Sequence, residues 1–252
     1  MDLTTLVTLA LGFALVAALY SSVGHAGASG YLALMALAGL APAVMRPTAL
    51  VLNLVVALIG TYRFSRAGLT SWRALLPLVA ASVPTAFLGG SIHLSLPGYR
   101  KLVGLVLLAS AVVLGWRAWK NLNATQAAEP PIAIPVPMAL GIGGAIGLLS
   151  GLTGTGGGIF LSPLLLLAGW AGPRRTAGLS APFILLNSFA GLAGLGWSNA
   201  SWPAELPWLV VAVLAGGVLG TRLGTQKLPA RALVALLAVV LLVASLKLLA
   251  TS

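Results

Sequence analysis

"LTGTGGGIFLSPLLLL", residues 152–167, places four glycines in five positions (Gly154, Gly156, Gly157 and Gly158) and then runs straight into an apolar stretch broken by Pro163. Glycine lets a backbone turn sharply and approach a ligand closely, and a helix that restarts after such a turn begins with N–H groups that have no partner inside the helix. Those N–H groups, with the positive end of the helix dipole behind them, form an anion site that needs no charged side chain. Glycines that serve helix packing are usually spaced by three residues, whereas three in a row break a helix. The stretch therefore reads as a break between two membrane-grade helices.

The surrounding chain supports the membrane reading. Of its 252 residues 59% are hydrophobic and 7% charged, with a mean hydropathy of +1.06, which lies outside the range of a soluble domain. Apolar runs recur along the whole length and leave no room for a separate water-soluble domain. The net charge of +11 comes from 14 Lys and Arg against 3 Asp and Glu. These basic residues sit singly or in pairs at the ends of apolar runs, as topology signals facing lipid headgroups, so no nucleic-acid partner is expected. The absence of cysteine excludes disulfides and thiol chemistry. Two histidines in different segments make a poor metal site, and no metal or cofactor is expected. The first run, "LTTLVTLALGFALVAALY" (3–20), lacks a basic leader, has a counterpart in mid-chain and is expected to be retained.

The chain reads as written twice. Gly30 aligns with Gly158, Thr48-Ala49 with Thr176-Ala177, Trp72 with Trp202 and Leu96-Pro97 with Leu228-Pro229. Between the halves (1–120 and 138–252) lies "NLNATQAAEPPIAIPVP" (121–137), whose prolines rule out a continuous helix. Each half holds five apolar segments, at 3–20, 30–45, 48–62, 74–92 and 100–119, then at 138–152, 158–172, 176–195, 206–221 and 232–250. The expected fold is an all-α polytopic membrane protein: one transmembrane domain of two homologous repeats, inverted, with Gly-broken helices near the midplane.

Charge decides the topology. With ten crossings and the N-terminus outside, Arg63, Arg66, Arg73, Arg117, Lys120, Arg174, Arg175, Arg222, Lys227 and Arg231 face the cytoplasm, leaving Arg46, Arg100, Lys101 and Lys247 outside. If the short second segments are re-entrant, the positive side inverts, so the positive-inside rule favours ten crossings. Five segments per half then set the halves in opposite senses, and "VGHAGASG" (23–30) and "LTGTGGG" (152–158) enter from opposite faces.

The apolar segments carry almost no acidic residues, which argues against a carboxylate cage for cations and for a small, hydrogen-bond-accepting anion. Gly27, Ser29 and Gly30 in the first break, Thr155, Gly156, Gly157 and Gly158 in the second, and the amides of Asn53 and Asn187 are candidate anion contacts, with hydroxyls of Thr153 and Ser162 as further donors. His25 is a candidate proton-coupling group. His93 reads as interfacial, and Arg46 and the Arg174-Arg175 pair as topology signals.

"GLLSGLTGTGGGIFLSPLLLLAGW" (147–170) followed by "PRRTAGLSAPFILLNSFAGLAG" (173–194) resembles the Gly-rich signature and following helix of the TauE/SafE sulfite exporter family, also called the membrane transporter protein family. The stretches at 71–110 and 201–242 resemble its repeated pattern, so the likeness spans nearly the whole chain. The first half departs from it, reading "VGHAGASGYLALMAL" (23–37) where two consecutive glycines and a proline are usual. The resemblance implies a multi-pass inner-membrane exporter of sulfite or a related organosulfur or carboxylate anion, with lipid around it and a homodimer as one possible assembly. A passive anion channel shares every motif. An intramembrane serine protease is the reading from another class, resting on "GASG" (27–30) near His25.

Overall fold

A computed structural model describes residues 3–119, 132, 134–196, 200–224 and 231–250, which form ten α-helices among these residues. They are α1 Leu3–Ser22, α2 Ala28–Leu37, α3 Pro42–Arg66, α4 Trp72–Ser91, α5 Leu96–Trp119, α6 Val136–Thr153, α7 Gly158–Leu167, α8 Pro173–Leu195, α9 Leu206–Gly224 and α10 Arg231–Ala250. Five of them (α3, α4, α6, and most of α5 and α8) are long and apolar enough to cross a membrane. Large apolar side chains such as Leu11, Leu58, Leu76, Phe189 and Val211 are exposed on the bundle surface, as a lipid-facing exterior requires. Of the expected linker 121–137, residues 121–131 and 133 lie outside the described residues, and Val136 and Pro137 already belong to α6.

The second segment of each half differs from its expected span. The helices there cover 28–37 and 158–167 rather than 30–45 and 158–172, because Gly39 (φ +77°) and Gly169 (φ +67°) adopt the left-handed conformation that ends a helix. Gly39 N–H donates to Ala36 O and Leu40 N–H to Met35 O; Gly169 N–H donates to Leu166 O and Trp170 N–H to Leu165 O. Pro42 and Pro173 then open α3 and α8 at the helix start, where proline's missing donor costs nothing. Arg46 and Arg174 consequently sit inside the first turns of long helices, not in a loop. At 10 residues each, α2 and α7 are about 15 Å long, half the hydrocarbon thickness of a bilayer.

Close contacts fix the direction of each element. The Asn53 amide reaches Ser188, and the side chains of Ala181 and Leu50 pack on Gly60 and Gly191, so α3 and α8 are antiparallel. Helices α4 and α6 run parallel through Leu78/Gly143, Ser82/Gly147 and Ala86/Gly151. Helices α1 and α9 run parallel through Ala14/Gly216 and Ala18/Gly220. Leu249/Gly104 and Ala238/Gly115 make α5 and α10 antiparallel. Helix α2 folds back along α1 through Val16/Gly30 and Leu34/Gly12, and α7 lies antiparallel to α8 through Ile184/Gly158 and the Ser162–Ser180 hydroxyl pair.

Followed through these contacts, consecutive helices alternate in direction along the bundle. The short helices α2 and α7 each follow a non-helical stretch, at 23–27 and 154–157. Arg63, Arg66, Arg73, Arg174, Arg175 and Arg222 gather at one end, hereafter the basic end, where α3 and α9 finish and α4 and α8 begin. Arg46, Arg100, Lys101 and Lys247 mark the far end; there Lys247 Nζ donates to Leu37 O at the close of α2. One buried apolar cluster joins α1, α2, α3, α5, α9 and α10 with Ile184 of α8, and a second joins α4, α6, α7 and α8.

Candidate functional site

Both short helices begin inside the bundle. Each has a glycine N-cap in the left-handed conformation, Gly27 (φ 104°) for α2 and Gly157 (φ 81°) for α7, and neither has a side-chain cap. The first bonded N–H in α2 is that of Tyr31, to Gly27 O, and in α7 those of Phe160 and Leu161, to Gly157 O. The N–H groups of Ala28, Ser29 and Gly30, and of Gly158 and Ile159, therefore precede the first helical bond of each. Positive-φ glycines recur 130 residues apart, Gly24 with Gly154, Gly27 with Gly157 and Gly39 with Gly169. The second break holds a further positive-φ glycine, Gly156, where that spacing falls on Ala26 in the first.

The two helix starts meet through His25. Its Nε2 lies 3.2 Å from Gly158 O, the first residue of α7, and its Nδ1 lies 3.2 Å from Val23 O. The Tyr20 ring stands edge-on to the imidazole, with centroids 6.2 Å apart. A third element closes the site. Asn53 of α3 is fully buried, donates from Nδ2 to Ser188 Oγ at 3.4 Å, and has an Oδ1 with no hydrogen-bond partner. A Cβ on Gly156 would lie 2.6 Å from Asn53 Nδ2 and 2.9 Å from Ser188 Oγ. The bare Gly156 backbone is thus in contact with a polar pair shared by α3 and α8.

Other sequence candidates stand as follows. The Ser29 hydroxyl is hydrogen-bonded to Tyr20 Oη at 2.7 Å, Thr155 Oγ1 to Thr153 Oγ1 at 2.9 Å, and Ser162 Oγ to Ser180 Oγ at 2.8 Å. Asn187 spends an amide proton on Phe183 O of its own helix, leaving Oδ1 without a hydrogen-bond partner. With Ser29 bonded to Tyr20 and both ring nitrogens of His25 beside carbonyls, the serine–histidine arrangement of a protease is not formed. His93 is exposed at the far end.

Arg46 corrects its expected role. It is 6% exposed, and its guanidinium donates to four carbonyls: Nε to Gly151 O (2.9 Å), Nη1 to Ile92 O (3.1 Å), and Nη2 to Gly89 O (2.6 Å) and Gly90 O (2.7 Å). It caps the C-terminal ends of α4 and α6, where the dipoles are negative and the last carbonyls lack helical partners. A cation in an apolar run reads as a topology signal in one dimension; only the folding of α4 and α6 against α3 brings the carbonyls to it. Ser188 was also missed, and its signal is the adjacent polar pair Asn187-Ser188 within the apolar α8.

The family model described as sulfite exporter TauE/SafE matches residues 9–248. A probable membrane transporter protein, y4hK, of Sinorhizobium fredii (strain NBRC 101917 / NGR234) is 42% identical over 246 residues, covering 98% of this chain and 99% of that protein. A probable membrane transporter protein of Xylella fastidiosa (strain Temecula1 / ATCC 700964) is 32% identical over 88 residues, 34% of each chain. No solved structure matches. The chain belongs to the TauE/SafE sulfite exporter family and is a multi-pass membrane transporter, not an enzyme.

Proposed function

We propose that the protein is a secondary carrier of a small anion such as sulfite or a related organosulfur or carboxylate anion, exported across the inner membrane. The anion sits between the two broken helices. The observation that carries this reading is the pair of buried helix starts without side-chain caps, joined through His25. Backbone N–H groups at Ala28–Gly30 and Gly158–Ile159, with Asn53 and Ser188 beside Gly156, supply donors to an anion without a formal positive charge. Two halves of like helix order support an inverted repeat: α1 packs on α9 as α6 packs on α4, and α3/α8 and α5/α10 each pair antiparallel. Flux of labelled sulfite, thiosulfate, sulfoacetate and small carboxylates into proteoliposomes tests it, with saturable exchange of at least one anion expected. Leakage proportional to concentration for all of them would favour a channel.

Two further results are expected. Thiol labelling of single cysteines introduced at Arg66 and Arg174 should place both on the cytoplasmic side, since both lie at the basic end; labelling from opposite faces would overturn the ten-crossing topology. His25 is proposed to couple proton movement to transport. A neutral imidazole has one N–H for two facing carbonyls, whereas the imidazolium has one for each. His25→Gln should flatten the pH dependence of flux while leaving the protein assembled, and an unchanged pH profile would return His25 to a purely structural role.

A further inference from the structure

Arg46 closes the far end of the break that precedes α7. Gly154, the first residue of that break, packs on it, so that a Cβ there would lie 3.0 Å from Arg46 O and 3.2 Å from its Cγ. Beside it Tyr99 Oη donates to Thr153 O at 3.2 Å. All four hydrogen bonds of the Arg46 guanidinium go to neutral carbonyls of helix ends. Such bonds can be exchanged for water at a bundle end without stranding a buried carboxylate. The glycine carbonyls at 89, 90 and 151 are also reachable because no side chains shield them.

The matching place in the second half carries no cation. Gly24 packs on Ala177 as Gly154 packs on Arg46, and Arg174 is the second residue of α8 whereas Arg46 is the fifth of α3. Arg46 is buried and Arg174 exposed. In an inverted-repeat carrier the two halves exchange conformations as the site turns from one face to the other. Resting on the carrier reading above, we infer that Arg46 is the latch that shuts the substrate path at the far end, and that the basic end, where Ala177 stands in its place, has no such latch.

The test uses the cysteine-free full chain with Thr155→Cys as a reporter, reconstituted in one orientation and exposed to a small impermeant methanethiosulfonate from each side. Labelling should be faster from the basic end in the otherwise unaltered chain. Arg46→Gln should raise far-end labelling about tenfold, which corresponds to a shift of about 1.4 kcal/mol between the two states, and lower it from the basic end; Arg174→Gln should leave the far end closed. Arg46→Lys, which keeps the charge but not the fork of donors, should move the preference in the same direction by less, and it carries the test if the glutamine variant does not assemble. An unchanged side preference in the Arg46 variants, or labelling raised equally from both sides, would overturn the latch. A reporter thiol reached from neither side in any variant would instead show that the break does not line the path, and the carrier reading would fall with it.

Discussion

Gly156→Ala is expected to lose anion binding by tenfold or more, while Gly157→Ala, one residue away, keeps its affinity and loses stability. Both glycines hold positive φ, +74° and +81°, so any side chain at either costs about 1–2 kcal/mol for the wrong-handed conformation. The added methyl group then goes to different places. At Gly156 it would lie 2.6 Å from Asn53 Nδ2 and 2.9 Å from Ser188 Oγ, in the polar pocket proposed for the anion. At Gly157 it would lie 2.8 Å from Ile146 Cγ2 and 2.9 Å from Phe183 Cε1, among apolar side chains of the α6–α8 cluster. Binding titration and thermal unfolding of both purified variants check this. Equal loss of affinity in the two would mean that the methyl's position is irrelevant and that the pocket is misplaced.

Gly147→Leu is expected to prevent α4 and α6 from assembling. A Cβ at Gly147 would fall on Ser82 O, Thr85 Oγ1 and Ser82 Cα, which are backbone and short side chain of a helix that runs parallel and close alongside. Backbone cannot rotate away as a long side chain can, so the two helices must separate. The loss should reach about 3 kcal/mol or more, the upper range for overpacking. Gly141→Ala in the same helix is the matched control. Nothing lies within 4 Å of its Cβ, and relief of glycine's chain entropy should stabilise the protein by about 0.5–1 kcal/mol. A thermal or denaturant unfolding series that ranked the two alike would contradict the parallel α4/α6 seam.

Much of the fold was legible because a bilayer imposes simple rules. Runs of apolar residues of crossing length, bounded by arginines, lysines and prolines, read directly as helices, and most observed boundaries fall within about four residues of those expected. The errors have one cause. Helix ends set by a left-handed glycine, as at Gly39 and Gly169, leave no mark in hydropathy, so the apolar count ran on through Leu40-Ala41 into α3 and through Trp170-Ala171 up to the start of α8. The glycine-rich break was conspicuous in the second half as Gly156-Gly157-Gly158, yet its counterpart in the first half needs only Gly24 and Gly27 at the matching turns.

Composition, spacing and the order of motifs were enough for the class of the protein, a membrane-embedded helical transporter, because all of these are local properties of the chain. Which polar groups meet is a matter of helix packing. Asn53 faces Ser188, 135 residues away, because α3 and α8 pack antiparallel. His25 reaches Gly158 because two half-length helices start at the same depth from opposite ends. Arg46 becomes a cap of helix ends because α4 and α6 finish together beside it. Each of these depends on the crossing and register of helices distant in the chain, and in an apolar solvent that register is set by how closely bare glycine backbone lets the helices approach, not by hydropathy, which is nearly the same on every face.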